Sequence, residues 1–178
     1  MLRPIKKTVD DYMAYDEERV ELIDGEFLVS PAPSIRHQVI LTNLLVELRT
    51  QVRKLGIGLV VPAPFDTVLS VHNVVQADIV FISPETLKRA DPRLEGPPDV
   101  AIEILSKSGR KRDLVTKKKL YHEFRVPEYW IVDPVAESVR VLVWRAESWR
   151  EHGVFKRGES VTSEVMKGVV APVSEIFE

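Results

Sequence analysis

The sequence predicts a mixed α/β domain around one sheet, with a β-rich C-terminal part. Three observations carry this. Helical and strand-like periodicities share the chain but alternate only in part, which argues against a fully parallel doubly wound sheet. The length of 178 residues fits one domain, assigned here to 1–178. An apolar content of 44% with 29% charged residues is ordinary for a globular chain and excludes disorder, collagen and coiled coil.

Thr8 with Asp10 and Asp11 reads as the capped start of a short helix. Val20–Ile23 and Phe27–Val29 flank Asp24-Gly25, a hairpin turn signal. Ser30-Pro31-Ala32-Pro33 is a loop, after which Ser34 caps a long helix that ends near Leu55 with Gly56 as its stop. Leu41, Leu44, Leu45, Leu48, Val52 and Leu55 cluster on one arc of that helix. Gly58–Val61, Phe65–Val71 and Val74–Ile82 are strand-like runs, with His72-Asn73 as the turn between the last two. Ser83-Pro84-Glu85 opens a short helix, and Ala90–Pro98 is a loop. Val100–Leu105 is a strand and Arg112–Phe124 a helix. Glu128–Val132 and Val139–Trp144 are strands joined by a turn at Asp133-Pro134.

The absence of cysteine excludes a disulfide framework, a zinc finger, an iron–sulfur cluster and a thiol nucleophile. The four histidines are scattered, which argues against a multi-histidine metal site. Formal charge is −2, so contact with nucleic acid requires a local basic patch. One exists: Lys107, Arg110, Lys111, Arg112, Lys117, Lys118 and Lys119 are opposed only by Asp113. Such a patch can hold phosphate backbone, or be an ordinary solvated helix start. Met1–Tyr15 has no apolar leader-like stretch, and no window approaches a membrane span. The expected location is the cytoplasm.

The informative residues are charges inside apolar runs, since carboxylates are rarely buried without a partner. Asp78 lies in Val74–Ile82 and Glu103 in Val100–Leu105. A divalent cation between them is one solution; an arginine partner or a loop cap for each is the other. Of three consecutive lysines, Lys117 falls inside the apolar arc of Leu114, Leu120, Tyr121 and Phe124, with Lys118 at its edge and Lys119 outside. Lys117 therefore either snorkels to the rim or meets the carboxylates. His37 points inward from the long helix, as a core residue or a catalyst. Glu47 falls outside the apolar arc. Glu21 and Glu26 sit on the hairpin, where a charge usually faces water.

Several segments together resemble a known family. They are Glu21–Glu26, Ser30-Pro31 with His37-Gln38, Val75–Phe81, Pro98–Ser106, Arg112-Asp113-Leu114 with Lys117 and Tyr121, and Val126–Pro134. In this order they resemble the bacterial Uma-type restriction endonuclease family, placed in the PD-(D/E)XK nuclease superfamily. The resemblance implies a restriction-endonuclease-like mixed sheet flanked by helices and assigns roles. Asp78 matches the aspartate of the "PD" motif, with Ala77 where proline is usual. Glu103 matches the acidic residue of the (D/E)XK strand. Leu105 stands where the motif lysine is usual, and Lys117 matches the lysine that the family supplies from the following helix. Glu21 resembles the superfamily's upstream glutamate, and His37 matches a family motif position. Asp99 makes a second literal "PD" with Pro98, but lies about 13 Å along the strand from Glu103, too far for both to hold one ion.

The implied activity is metal-dependent hydrolysis of phosphodiester bonds in nucleic acid, with DNA as the expected substrate. Asp78, Glu103 and the Ile104 carbonyl would hold Mg²⁺ or Mn²⁺; Lys117, Glu21 and His37 complete the catalytic set. The rival reading is a non-catalytic nucleic-acid-binding protein on a nuclease scaffold, which the missing in-strand lysine favours. A third is a partner-binding module. A homodimer would suit double-strand cleavage.

Overall fold

Thr8 caps the first helix as its sequence predicts: its side chain and that of Asp11 each accept from the other's backbone N–H at the start of α1 (Val9–Met13). This is a computed structural model, and it describes residues 5–15 and 19–178; Met1–Pro4, the start of the segment read above for a leader, lie outside them. Strands β1 (Val20–Ile23) and β2 (Glu26–Val29) pair antiparallel, Val20 opposite Val29 and Ile23 opposite Glu26. Asp24 and Gly25 both have positive φ, 53° and 80°, the geometry of a two-residue turn matched to strand twist. Helix α2 (Ile35–Leu55) begins where the Ser34 side chain accepts from the His37 N–H and ends at a left-handed Gly56. Its buried face is His37, Ile40, Leu44, Leu48 and Val52. Leu41 and Leu45 only flank this face, and Leu55 is exposed, so the face sits about one residue position around from the predicted arc.

The run Val74–Ile82 is not one strand. It divides into β5 (Asn73–Val75) and β6 (Ile79–Ile82), and the two join different sheets. β3 (Leu59–Pro62), β4 (Thr67–Ser70), α3 (Pro84–Leu87), β7 (Leu94–Glu95) and β8 (Val100–Ile104) complete the chain as far as Ile104. The turn before β5 is Val71-His72, one residue earlier than predicted. After β8 a π-helical turn, Arg112–Lys117, runs into α4 (Lys118–Glu123). Then come β9 (Glu128–Asp133), β10 (Ser138–Arg145), β11 (Ser148–Lys156), β12 (Ser160–Thr162), β13 (Val170–Pro172) and α5 (Val173–Ile176).

The single predicted sheet is thus two main sheets and a small one. A six-stranded sheet has the order β11-β10-β9-β8-β6-β3, a five-stranded sheet the order β2-β1-β5-β4-β7, and β12 pairs with β13. In the six-stranded sheet β8 and β9 are parallel and every other pair antiparallel. A parallel neighbour requires a crossover, and the lysine-bearing helix is that crossover.

Period-two alternation sorts the core. Ile79, Phe81, Val100, Ile102, Ile104, Trp130 and Val132 pack with Ile40, Leu44, Leu48 and Val52 of α2 on one face. Val80, Ile82, Ala101, Tyr129 and Ile131 pack with Leu120, Tyr121 and Val126 on the other, together with Ile23, Leu69 and Val75 of the smaller sheet. Glu103 alternates onto this second face, toward the π-helical turn.

Candidate active site

Gln76-Ala77-Asp78, the break between β5 and β6, is where the site forms, and side chains cause the break. The Gln76 N–H donates to Glu21 Oε1 at 2.8 Å instead of to a strand. Asp78 Oδ2 accepts from the Ile104 N–H at 2.7 Å. Backbone donors at the seam of the two sheets are satisfied by carboxylates, so neither ladder continues through it.

The β6–β8 register pairs Ile79 with Ile102, which sets Asp78 beside Glu103 one step further along. Glu103 Oε1 accepts from Lys117 Nζ at 2.8 Å and from the Tyr121 hydroxyl at 2.7 Å. Lys117 Nζ also lies 2.8 Å from Glu21 Oε1 and 3.4 Å from the Gln76 carbonyl. Lys117 is 2% exposed, Glu21 and Glu103 3% each, so the ammonium meets the carboxylates and does not snorkel. His37 Nε2 stands 3.3 Å from Asp78 Oδ2. The structure therefore brings all five sequence-identified side chains, Glu21, His37, Asp78, Glu103 and Lys117, around one cavity of about 300 Å³, with Ile104 in its wall.

Glu21 departs from the wet-face expectation for a hairpin charge. Strand β1 is not an edge: it lies between β2 and β5, and Lys117 covers its inner face. Asp99 is elsewhere; its carboxylate accepts from the Ser83 N–H at 2.7 Å and the Ser83 hydroxyl at 3.1 Å, closing the start of α3. The basic patch divides. Arg110 pairs with Asp133 at 2.9 Å, Lys107, Lys111 and Lys119 are exposed, and Arg112 enters the cavity, donating to Ser30 Oγ at 2.8 Å.

Sequence reasoning named Asp113 only as the counter-charge of the basic patch and within the segment Arg112-Asp113-Leu114, without a role in the site. It is 4% exposed and lines the cavity, with Arg112 Nε 3.7 Å from its Oδ1. The available signal was its spacing: Asp113 and Lys117 are four residues apart on a turn whose wide π geometry brings both inward.

Four carboxylates, Glu21, Asp78, Glu103 and Asp113, line this cavity against three permanent cations, the buried Lys117, the half-buried Arg112 and the exposed Arg19. The imbalance moves proton affinities. Burial pushes the Glu103 carboxyl well above its usual range, against the pull of Lys117. Burial likewise pushes Asp113 up to about 6, with Lys117 and Arg112 opposing and Asp78 and Glu21 adding to it. Burial disfavours the Lys117 ammonium, but Glu103, Glu21 and Asp113 outweigh it and hold the proton more tightly than usual. Burial also lowers His37, and the Asp78 carboxylate outweighs it, so the imidazole is raised.

Among the described residues no three histidine or acidic side chains are arranged to hold a metal ion by themselves. Mg²⁺ does not require that; it takes one or two carboxylates and fills its other positions with water and phosphate oxygen. Asp78 and Glu103 with the Ile104 carbonyl fit this pattern. The excess of buried carboxylate is what a hard cation would neutralise.

A mixed sheet with helices on both faces and an acidic, lysine-bearing cavity at its seam is a restriction-endonuclease-like arrangement. The family model Uma2, described as "Putative restriction endonuclease", matches residues 9–174, and the chain belongs to that family. Among solved structures, one described as a putative nuclease belonging to DUF820, from Anabaena variabilis ATCC 29413, is similar in fold. It has a TM-score of 0.79 at 19% sequence identity and covers 98% of each chain. A comparison with curated proteins gives no match.

Proposed function

We propose that this protein is a metal-dependent nuclease that hydrolyses phosphodiester bonds of nucleic acid, with DNA as its substrate and the cytoplasm as its place of action. One observation carries the reading: a fully buried lysine held between Glu21 and Glu103, beside Asp78, in a cavity with excess negative charge. Asp78, Glu103 and the Ile104 carbonyl would hold Mg²⁺ or Mn²⁺. The chemistry supplied by that ion is a more acidic bound water and neutralised charge on the scissile phosphate. Lys117 orients the attacking water and stabilises the extra negative charge of the transition state. Glu21 holds the lysine ammonium, and His37 fixes the Asp78 carboxylate. Exposed Lys107 and Lys111 grip phosphate without reading sequence. Cutting both strands of a duplex needs two sites, which a homodimer provides; sedimentation velocity would detect it.

The second reading, a non-catalytic binder, draws on the complete engagement of Lys117 by two carboxylates. A cleavage assay on plasmid and single-stranded DNA with Mg²⁺ or Mn²⁺ separates the two, with EDTA and Asp78→Ala alongside. Metal-dependent cutting lost in the variant supports the nuclease. Salt-dependent binding with no product under any metal supports the binder.

A further inference from the structure

Asp113 has no place in the metal set, yet it is buried and lines the cavity. Among the described residues its buried Oδ1 has no hydrogen-bond partner, and the nearest cationic atom, Arg112 Nε at 3.7 Å, is beyond hydrogen-bonding reach and is itself without a partner there. A buried acceptor left unsatisfied is costly and rare. The backbone is held on the turn, where the Asp113 N–H donates to the Gly109 carbonyl at 3.0 Å. The Asp113 carbonyl accepts from the Tyr129 hydroxyl at 3.1 Å. A carboxylate so placed lacks only a donor from whatever enters the cavity.

We infer that Asp113 is a further catalytic residue, the proton acceptor for the water that attacks the phosphate. The inference rests on the nuclease reading above. In the step, one O–H bond of the water breaks and its proton passes to Asp113 Oδ1. The water oxygen forms a bond to phosphorus, and the bond from phosphorus to the sugar oxygen breaks with its electron pair. Solvent water protonates that leaving oxygen, and Asp113 returns its proton to solvent. The four-residue spacing from Lys117 sets acceptor and water-orienting cation on the same side of one turn. Charged groups face Asp113 from every neighbouring element: Arg112 and Lys117 on its own turn, Glu21 on β1, Asp78 before β6, Glu103 on β8 and His37 on α2. Their balance, dominated by burial, suits a base that is ionised at neutral pH yet retains proton affinity.

The test is kcat against pH at saturating Mn²⁺ for the unmodified protein and for Asp113→Asn, with Mn²⁺ affinity from calorimetry. The expected unmodified profile rises to a plateau with an acid limb at or below about pH 6, since a bound cation draws the carboxyl downward. In Asp113→Asn, kcat should fall about 100-fold or more and lose that limb, while Mn²⁺ affinity stays within about threefold. A flat profile in the unmodified protein overturns the inference even if the variant does not fold. So does a variant that keeps its kcat. A Mn²⁺ affinity that falls in step with the rate makes Asp113 a cation ligand, and also overturns it. Absence of metal-dependent cleavage by the unmodified protein is a failure of the nuclease reading itself, seen before any variant is made.

Discussion

Lys117 keeps its charge in a space that is 2% exposed because two carboxylates meet it at 2.8 Å each. Removing one partner of a buried ion network costs about 3–5 kcal/mol, mostly through the charges left unpaired. Lys117→Met should therefore lose that much stability at pH 8. The loss should shrink at pH 5, because Glu103, already raised by burial, takes a proton more readily without the cation. Thermal unfolding of both proteins at the two pH values measures this; an equal loss at both would mean the carboxylates are not under strain. Lys117→Ala should abolish cleavage and largely spare Mn²⁺ binding, whereas Glu103→Ala should abolish both, and retained cleavage by the latter would refute the site. Asp113 has the opposite sign to the usual carboxylate. Its folded value of about 6 lies above the unfolded one, so the folded state binds the extra proton. Stability from this group is present in acid and is lost as pH rises through that window. Asp113→Asn, which resembles the protonated form, should be more stable than the unmodified protein above pH 6 and no different at pH 4. A lower melting temperature at pH 8 would contradict that sign.

At the scale of elements, local chemistry was legible and sheet membership was not. The capping residues Thr8 and Ser34, the Asp24-Gly25 turn and the Gly56 stop act through neighbours in sequence, and each element starts or ends where they place it. Lys117, His37, Asp78 and Glu103 were visible because a charge on an apolar face is anomalous in any fold. Glu21 was reached only through the family resemblance, and Asp113 was read only as the counter-charge of the basic patch, although on a regular helical wheel it lies 40° from Lys117, inside the same apolar arc. What buries Glu21 is a lysine from a segment nearly a hundred residues away. The split of Val74–Ile82 is hidden for the same reason, since the acceptors that end each strand come from β1 and from the far end of β8. The π-helical turn can be tested at Gly109. A Cβ there would lie 2.9 Å from Ser106 Oγ, the side chain that accepts from the Gly109 N–H, and 3.2 Å from Arg112 and Asp113 side-chain atoms. Alanine favours a helix over glycine by about 0.5–1 kcal/mol. Gly109→Ala should thus change the melting temperature by no more than a few degrees while displacing the cavity wall. Cleavage should fall about tenfold, given that misplacements near 1 Å can cost 100-fold; unchanged cleavage would show that the wall can yield.

For the molecule as a whole, one buried carboxylate ties the segment after β12 to the six-stranded sheet, beside the Gln51–Val170 hydrogen bonds that join α2 to β13. Glu128, at the start of β9, is completely buried with no cationic partner within ion-pair distance among the described residues. Its Oε1 accepts from Trp130 Nε1 at 2.7 Å and Ser163 Oγ at 2.6 Å, and its Oε2 from the Glu164 and Val165 N–H groups at 2.8 and 3.2 Å. Four donors thus converge on a group that only accepts, and two of them are main-chain donors of the segment linking β12 to β13. That segment, β12 and α5 cover the α2 side of the six-stranded sheet with Val161, Met166, Val169, Val173 and Ile176. Glutamine has the right shape but offers one acceptor oxygen, so its amide would oppose either the side-chain pair or the backbone pair. Glu128→Gln should therefore cost about 2–4 kcal/mol, at about 1–3 kcal/mol for each unsatisfied donor, a fall of roughly 5–15 °C in melting temperature. The cavity lies at the seam of the two sheets, lined from α2 as well as from the smaller sheet, and among the described residues none of its lining residues hydrogen-bonds to Glu128. Mn²⁺ affinity of the folded variant should accordingly match that of the unmodified protein. A loss of affinity at a temperature where the variant is fully folded would mean that the C-terminal strap positions the site as well as closing the core.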